Sequence, residues 1–330
     1  METTALADKS SSGGPCVAFA CGVWCDAARP LKPAYRDAVV GKYKAEATTV
    51  DFKNKTEEAR EQINEWTRQV TRGLINSVLP PGSVDVATAA VLGNAIYFKG
   101  NWDRPFKGKN MKRKPFYRLD GGIIDDVPFM SSKSNQYVAV HDGFKVLELM
   151  YRTAPHSYSY SNDGGGDYTR YSMVVFLPDA RDGLRGLVEK MASRPGFLHE
   201  HVPSESVPVG DFRVPKFKVS FAGSVAGIVE QLGLRLPFSP KLADLSAMAE
   251  DDGSGLPLFV SDVLHRAVIE VNEEGSEAAA ATMMDVMIGC SMVKPPPVDF
   301  VADHPFADFI VEQMSRAVVF AGHVIDPTME

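Results

Sequence analysis

The chain has 330 residues, 45% of them hydrophobic and 23% charged, an ordinary globular composition with enough length for one large core or two small ones. Its 35 Lys plus Arg against 42 Asp plus Glu leave a net charge of -7, which argues against a broad basic footprint for nucleic acid or an anionic membrane. No stretch reaches the ~18 continuous apolar residues of a membrane span, and Cys16, Cys21, Cys25 and Cys290 are too few and too clustered to form a disulfide framework.

Met1 to Gly14 is small and polar, without the apolar centre of a secretory signal, so residues 1–15 read as a disordered tail and the cytosol is favoured. Val17, Phe19, Cys21 and Val23 fall two apart, as one face of a strand requires. From Glu57 to Val78 the apolar residues Ile63, Trp66, Val70, Leu74 and Val78 step by three or four and predict an amphipathic helix. Asn54 and Glu57 would cap its start, and Pro80-Pro81-Gly82 would stop it. Ala89 to Phe98 is an apolar run for a strand buried on both faces, interrupted by Gly93 and by Asn94, which must find polar partners. The basic run Lys107 to Lys114 reads as a solvated loop.

Ser172 to Leu177 and Ala317 to Val324 read as short strands, and Gly183 to Met191 and Ser224 to Leu232 as helices. His156 to Tyr168, with its three consecutive glycines, reads as a flexible insertion. Phe212, Val214, Phe217, Val219 and Phe221 mark a half-buried strand whose register breaks at Pro215. Strands and helices mix without βαβ regularity, which places the chain in the α+β class. The His199-Glu200-His201 cluster lacks zinc-motif spacing and reads as a surface turn; no nucleophile elbow, phosphate loop or dinucleotide fingerprint occurs, so no enzyme, metal or cofactor is expected.

The informative segment is Glu273-Glu274-Gly275-Ser276-Glu277-Ala278-Ala279-Ala280-Ala281-Thr282. Local propensity favours helix there, since Ala, Glu and Met are strong helix formers. Its period-two parity favours a strand. Ser276, Ala278, Ala280, Thr282, Met284, Val286 and Ile288 are all uncharged, whereas Glu277 and Asp285 fall on the other parity. Pro295-Pro296-Pro297 then imposes an extended, exposed exit.

These residues resemble the serpins, and the cereal-type plant serpins in particular. The hinge from Glu273 to Thr282 matches, with Ser276 where Thr is commoner. So do Asp299 to Phe306 after the loop, Leu92 to Trp102, and Phe320 to Ile325. The resemblance runs from about Cys16 to Pro327. It implies one serpin-like domain over 16–330, built of three β-sheets with surrounding helices, and a reactive-centre loop exposed over about 275–298.

By the same resemblance, the function is that of a serine-type protease inhibitor and suicide substrate, whose loop inserts into the largest sheet after attack. Its partner would be a target protease of the serine, or else the cysteine, class, and the protein itself a monomer. Sixteen residues beyond Glu273 lies Gly289, which makes Gly289-Cys290 the reactive bond, with Met287 or Met292 as the alternative residue for a protease that reads a neighbouring position. Lys216 and Glu273 match a pair that ties the top of the main sheet beside Trp102, and Asn94 and His265 match polar residues at its middle. Cys16 corresponds to a later strand of the family, so the chain reads as a serpin without the family's N-terminal helices, with poor stability and weak inhibition expected. The competing reading is a non-inhibitory serpin-like binding or storage protein, or a truncated inactive product.

Overall fold

The computed structural model of the chain describes residues 6–153, 169–273 and 296–329. In chain order the first elements are β1 (Cys16–Asp26), α1 (Pro33–Tyr43), β2 (Glu46–Val50), α2 (Thr56–Val70) and β3 (Ala90–Lys99). Then come β4 (Lys112–Tyr117), β5 (Ile123–Met130), β6 (Gln136–His141), β7 (Phe144–Met150), β8 (Tyr171–Pro178), α3 (Leu184–Ser193) and α4 (Phe197–His201). The last are β9 (Ser206–Val207), β10 (Val209–Pro215), β11 (Phe217–Ser224), α5 (Ala226–Gln231), β12 (Asp262–Val271), β13 (Val298–Val301), β14 (Phe306–Glu312) and β15 (Ala317–Val324). These form two compact units, one of Val17–Phe98 with Ser220–Ile269, the other of Met1–Cys16, Lys99–Val219 and Glu270–Glu330.

The unit containing Val17–Phe98 is built on a five-stranded sheet ordered β11-β12-β3-β1-β2. β1 pairs with β2 in parallel and β12 pairs with β3 in parallel, the latter in unbroken register from Asp262 opposite Val91 to Ile269 opposite Phe98. Helix α2 covers one face: its Trp66 meets Trp24 of β1 edge-to-face at 5.3 Å, and Ile63 is fully buried. Gly93 of β3 makes room for that indole, because a Cβ there would stand 2.8 Å from the Trp24 ring. Val23, Cys25, Val39, Ala47 and Met248 form a second cluster nearby in the same unit.

The other unit holds a four-stranded sheet, β13-β10-β5-β4, and a six-stranded sheet, β15-β14-β8-β7-β6-β9. In the larger sheet β8 lies between β7 and β14, antiparallel to both, and every residue of β8 is buried. Helices α3 and α4 close its core with Leu184, Leu187 and Phe197 against Phe144, Phe176 and Ala307. Each large apolar side chain buried in this way contributes roughly 1.5–3 kcal/mol.

Several boundaries differ from those the sequence predicts. Helix α2 ends at Val70, eight residues before Val78, because Arg72 and Gly73 both take positive φ (53° and 80°) and reverse the chain. Val78 is then held by Asn64, whose Oδ1 accepts the amides of Val78 and Leu79 at 2.9 Å. Asn54 does not cap the helix: its amide group donates to Asp51, and Lys55 occupies the cap position without a side-chain capping bond to the backbone. The single strand expected across Pro215 is two strands, β10 and β11, belonging to different sheets. The last three residues of the expected basic loop, Lys112 to Lys114, belong to strand β4, and His199-Glu200-His201 lies on α4, where the His201 ring stacks on Phe197 at 4.1 Å. Ser10–Ser12, inside the expected tail, form one turn of 3-10 helix closed at Gly13.

Candidate functional site

The end of β12 leads into the hinge, and four contacts fasten it. Lys99 Nζ pairs with Glu270 at 2.7 Å. The Trp102 indole donates to the Asn272 carbonyl at 2.7 Å, and the Phe106 amide donates to the Glu273 carbonyl at 3.0 Å. Lys216, the single residue between β10 and β11, places Nζ 2.5 Å from Glu273 Oε2. Trp102 is itself wedged in place, stacked on Tyr151 at 4.5 Å and edge-on to Phe106 at 6.4 Å. Lys216, Glu273 and Trp102, singled out by sequence, therefore converge on one short stretch of backbone.

The electrostatics of that pair follow from partial burial. Burial alone would raise the Glu273 carboxyl, but the Lys216 ammonium and a bond to its own backbone outweigh it and hold the group below its ordinary value. With side-chain exposures of 33% and 23%, Lys216 and Glu273 stand between a surface pair and a buried one.

Asn94 and His265 are brought together as direct cross-strand partners in the middle of the β3–β12 pairing. The His265 imidazole is held below its ordinary value by burial, against an opposing bond to the Asn94 backbone. On β1, burial pushes the Cys21 thiol up, partly offset by a hydrogen bond with the Asn94 side chain. Phe221 of β11 completes the row, its ring 5.9 Å from the His265 ring. A band of exposed Phe221 with half-buried His265, Asn94 and Cys21 thus crosses four strands of the sheet. Sequence reasoning identified only its two central members, because Cys21 and Phe221 carry no distinctive signal outside their strand periodicity. The Phe106 amide, being backbone, could not have been identified at all.

Glu274, Gly275, Ser276, Glu277, Ala278, Ala279, Ala280, Ala281 and Thr282, with Gly289 and Cys290, lie outside the described residues. The chain re-enters them at Pro296, and β13 pairs in parallel with β10. Asp299 Oδ1 accepts the Asp211 amide at 2.7 Å there. Among the described residues no group of three or more His, Cys, Asp or Glu side chains could hold a metal, and no helix is long and apolar enough to cross a membrane.

A hinge fastened at the end of a parallel-paired strand, three sheets, and a return strand beside β10 together define a class of protein, and the family comparison agrees with it. The profile described as Serpin (serine protease inhibitor) matches residues 3–327, and the chain belongs to the serpin family. Among its relatives, "Putative serpin-Z8" of Oryza sativa subsp. japonica is 67% identical, over 99% of this chain and 80% of that protein. Serpin-ZX of Hordeum vulgare is 46% identical, over 98% of this chain and 77% of that protein. A solved structure of AtSerpin1 from Arabidopsis, in a form described as native stressed, superimposes with a TM-score of 0.88 at 39% identity, covering 99% of this chain and 80% of that one. Uncleaved ovalbumin superimposes with a TM-score of 0.74 at 28% identity, over 95% of this chain and 78% of that one.

Proposed function

We propose that the chain is a serine-type protease inhibitor that acts as a suicide substrate. In this reading the protease's serine hydroxyl attacks the Gly289 carbonyl, the amine of Cys290 leaves, and the protease is held as an acyl ester on Gly289. The freed stretch from Ser276 to Ile288 then enters the sheet between β3 and β12.

The observation that carries this reading is the direct parallel pairing of β3 with β12. A chain that leaves the end of β12 and turns back runs antiparallel to both neighbours. One parallel interface would be exchanged for two antiparallel ones, which pair slightly better per residue. With a net gain of about 1 kcal/mol per added hydrogen bond, a strand of this length supplies on the order of 10 kcal/mol. The parity of the segment supports the same step, since Ser276, Ala278, Ala280 and Thr282 put small uncharged residues on the inward face.

Glu273, Lys216 and Trp102 act here as the latch that keeps the sheet closed at the hinge, and Asn94 with His265 as the seam that must part. Gly289 offers no side chain to a specificity pocket, so proteases with deep Lys- or Arg-selective pockets are disfavoured at that bond. The test is incubation with a panel of serine and cysteine proteases, followed by denaturing electrophoresis and mass spectrometry. A covalent complex with the protease bound at Gly289 is expected; a clipped loop with no complex would overturn the inhibitor reading.

A further inference from the structure

One feature of the chain is unused by this mechanism: the segment Arg104 to Lys114. It carries Arg104, Lys107, Lys109, Lys112, Arg113 and Lys114 and no acid, on a chain of net charge -7. All six cations are exposed. Its position is set at both ends by contacts to the loop stems. Phe106 donates its amide to Glu273, where the chain departs, and Lys112 pairs at 3.2 Å with Asp211 of β10, the strand on which β13 re-enters.

Two of the nearby acids are committed. Asp211 is shared between Lys112 and Arg213, and Asp126 pairs with Arg113. Lys107, Lys109 and Lys114 have no ion-pair partner among the described residues, so their charge faces solvent. Protection of an edge strand accounts for Lys112, Arg113 and Lys114, since β4 is the last strand of its sheet. It does not account for Arg104, Lys107 and Lys109, which precede the strand.

We infer that this basic segment is a docking surface for the acidic rim of the attacking protease. The inference rests on the protease-bait reading above and adds to it the kind of protease surface the chain selects. Cys290 is six residues before Pro296, so the reactive bond lies within about 25 Å of the chain's re-entry point even when fully extended. A protease seated on the bond with an interface of ordinary size, about 800 Å² a side, reaches the stems between which Lys107 and Lys109 lie. Exposed like charges around a binding site act chiefly on the encounter rate, by ten-fold or more at low salt, and fade as salt rises.

The experiment uses the serine protease that cleaves the loop fastest in a panel of chymotrypsin, elastase and subtilisin, and the same enzyme succinylated on its lysines to make its surface acidic. Second-order rates of loop cleavage or complex formation are measured from low to high salt and normalised to each form's rate on a short neutral substrate. The full chain should react about tenfold faster with the succinylated form at low salt, and the gap should close at high salt. Lys107→Gln/Lys109→Gln/Lys114→Gln, shown to unfold at the same temperature as the parent, should lose most of that preference. A preference that survives in the triple variant would overturn the proposal. So would an effect of the substitutions equal for both enzyme forms, which would mark an internal effect on the loop, or charge-dependent binding of duplex DNA with no preference between the enzyme forms. If no protease in the panel cleaves or traps the chain, the bait reading itself fails and takes this inference with it.

Discussion

Replacing Glu273 with Gln removes the charge of the hinge latch while keeping its shape. At 2.5 Å the gross attraction between Lys216 and Glu273 is roughly 6–7 kcal/mol at an effective dielectric of about 20. Most of that is cancelled by desolvation and by solvent screening of two groups that keep about a quarter to a third of their surface exposed. The expected net loss for Glu273→Gln is about 1–3 kcal/mol at pH 7, or roughly 2–4 °C in Tm for a chain of this length. The carboxyl is held below its ordinary value in the folded chain. Its contribution is therefore complete above the unfolded-state pKa, about 4.3, and is lost as pH falls through the folded-state value. Denaturant unfolding of parent, Glu273→Gln, Lys216→Met and the double variant, at pH 7 and below pH 4, gives the coupling directly. A coupling absent at pH 7, or one that persists undiminished in acid, would refute the assignment of the latch to this pair.

Two further outcomes follow from the same account. Ala280→Glu should convert inhibition into simple cleavage, because its parity drives a carboxylate into the core on insertion at a cost of several kcal/mol, whereas Ala279→Glu should be milder; equal loss of covalent complex in both would remove the parity argument. Asp308, fully buried on β14, has its carboxyl raised by burial to about 7, against an opposing bond from its own backbone. The folded state thus holds a proton the unfolded chain has released between about pH 4 and 7, so stability should fall as pH rises across that window by roughly 4 kcal/mol. Glu148, also raised by burial, adds to the same slope. Asp308→Asn should flatten the slope without abolishing it; an unchanged pH profile of unfolding would contradict the buried-acid assignment.

The strands were legible where one segment carries its own pattern. Ala317–Val324 has the bounds its sequence predicts, and β3 is shifted by one residue from the apolar run Ala89 to Phe98. Legibility failed where distant partners decide. The alternation from Phe212 to Phe221 shifts parity at Pro215 and reads as one strand with a register break, but β10 finds β5 and β13 while β11 lies beside β12, a division of sheets that no local period encodes. Helix α2 was overextended because Leu74 and Val78 keep the helical spacing after Arg72 and Gly73 have turned the chain. At the site, Lys216, Glu273, Trp102, Asn94 and His265 were read through family resemblance, and their proximity in the fold is a property of pairing that spacing could not supply. Lys99 with Glu270 went unread because an ion pair between residues so far apart in sequence leaves no spacing signal.

The central claim is that the segment after Glu273 becomes a strand between β3 and β12. It is tested most directly by solving the structure of the chain after its loop has been cleaved between Gly289 and Cys290. The account predicts that Asn94 and His265 no longer face each other across one pairing: β3 and β12 move from about 4.8 Å apart to about twice that, with Ser276 to Ile288 antiparallel between them. A cleaved chain in which His265 still pairs with Asn94 and no strand has entered would contradict it.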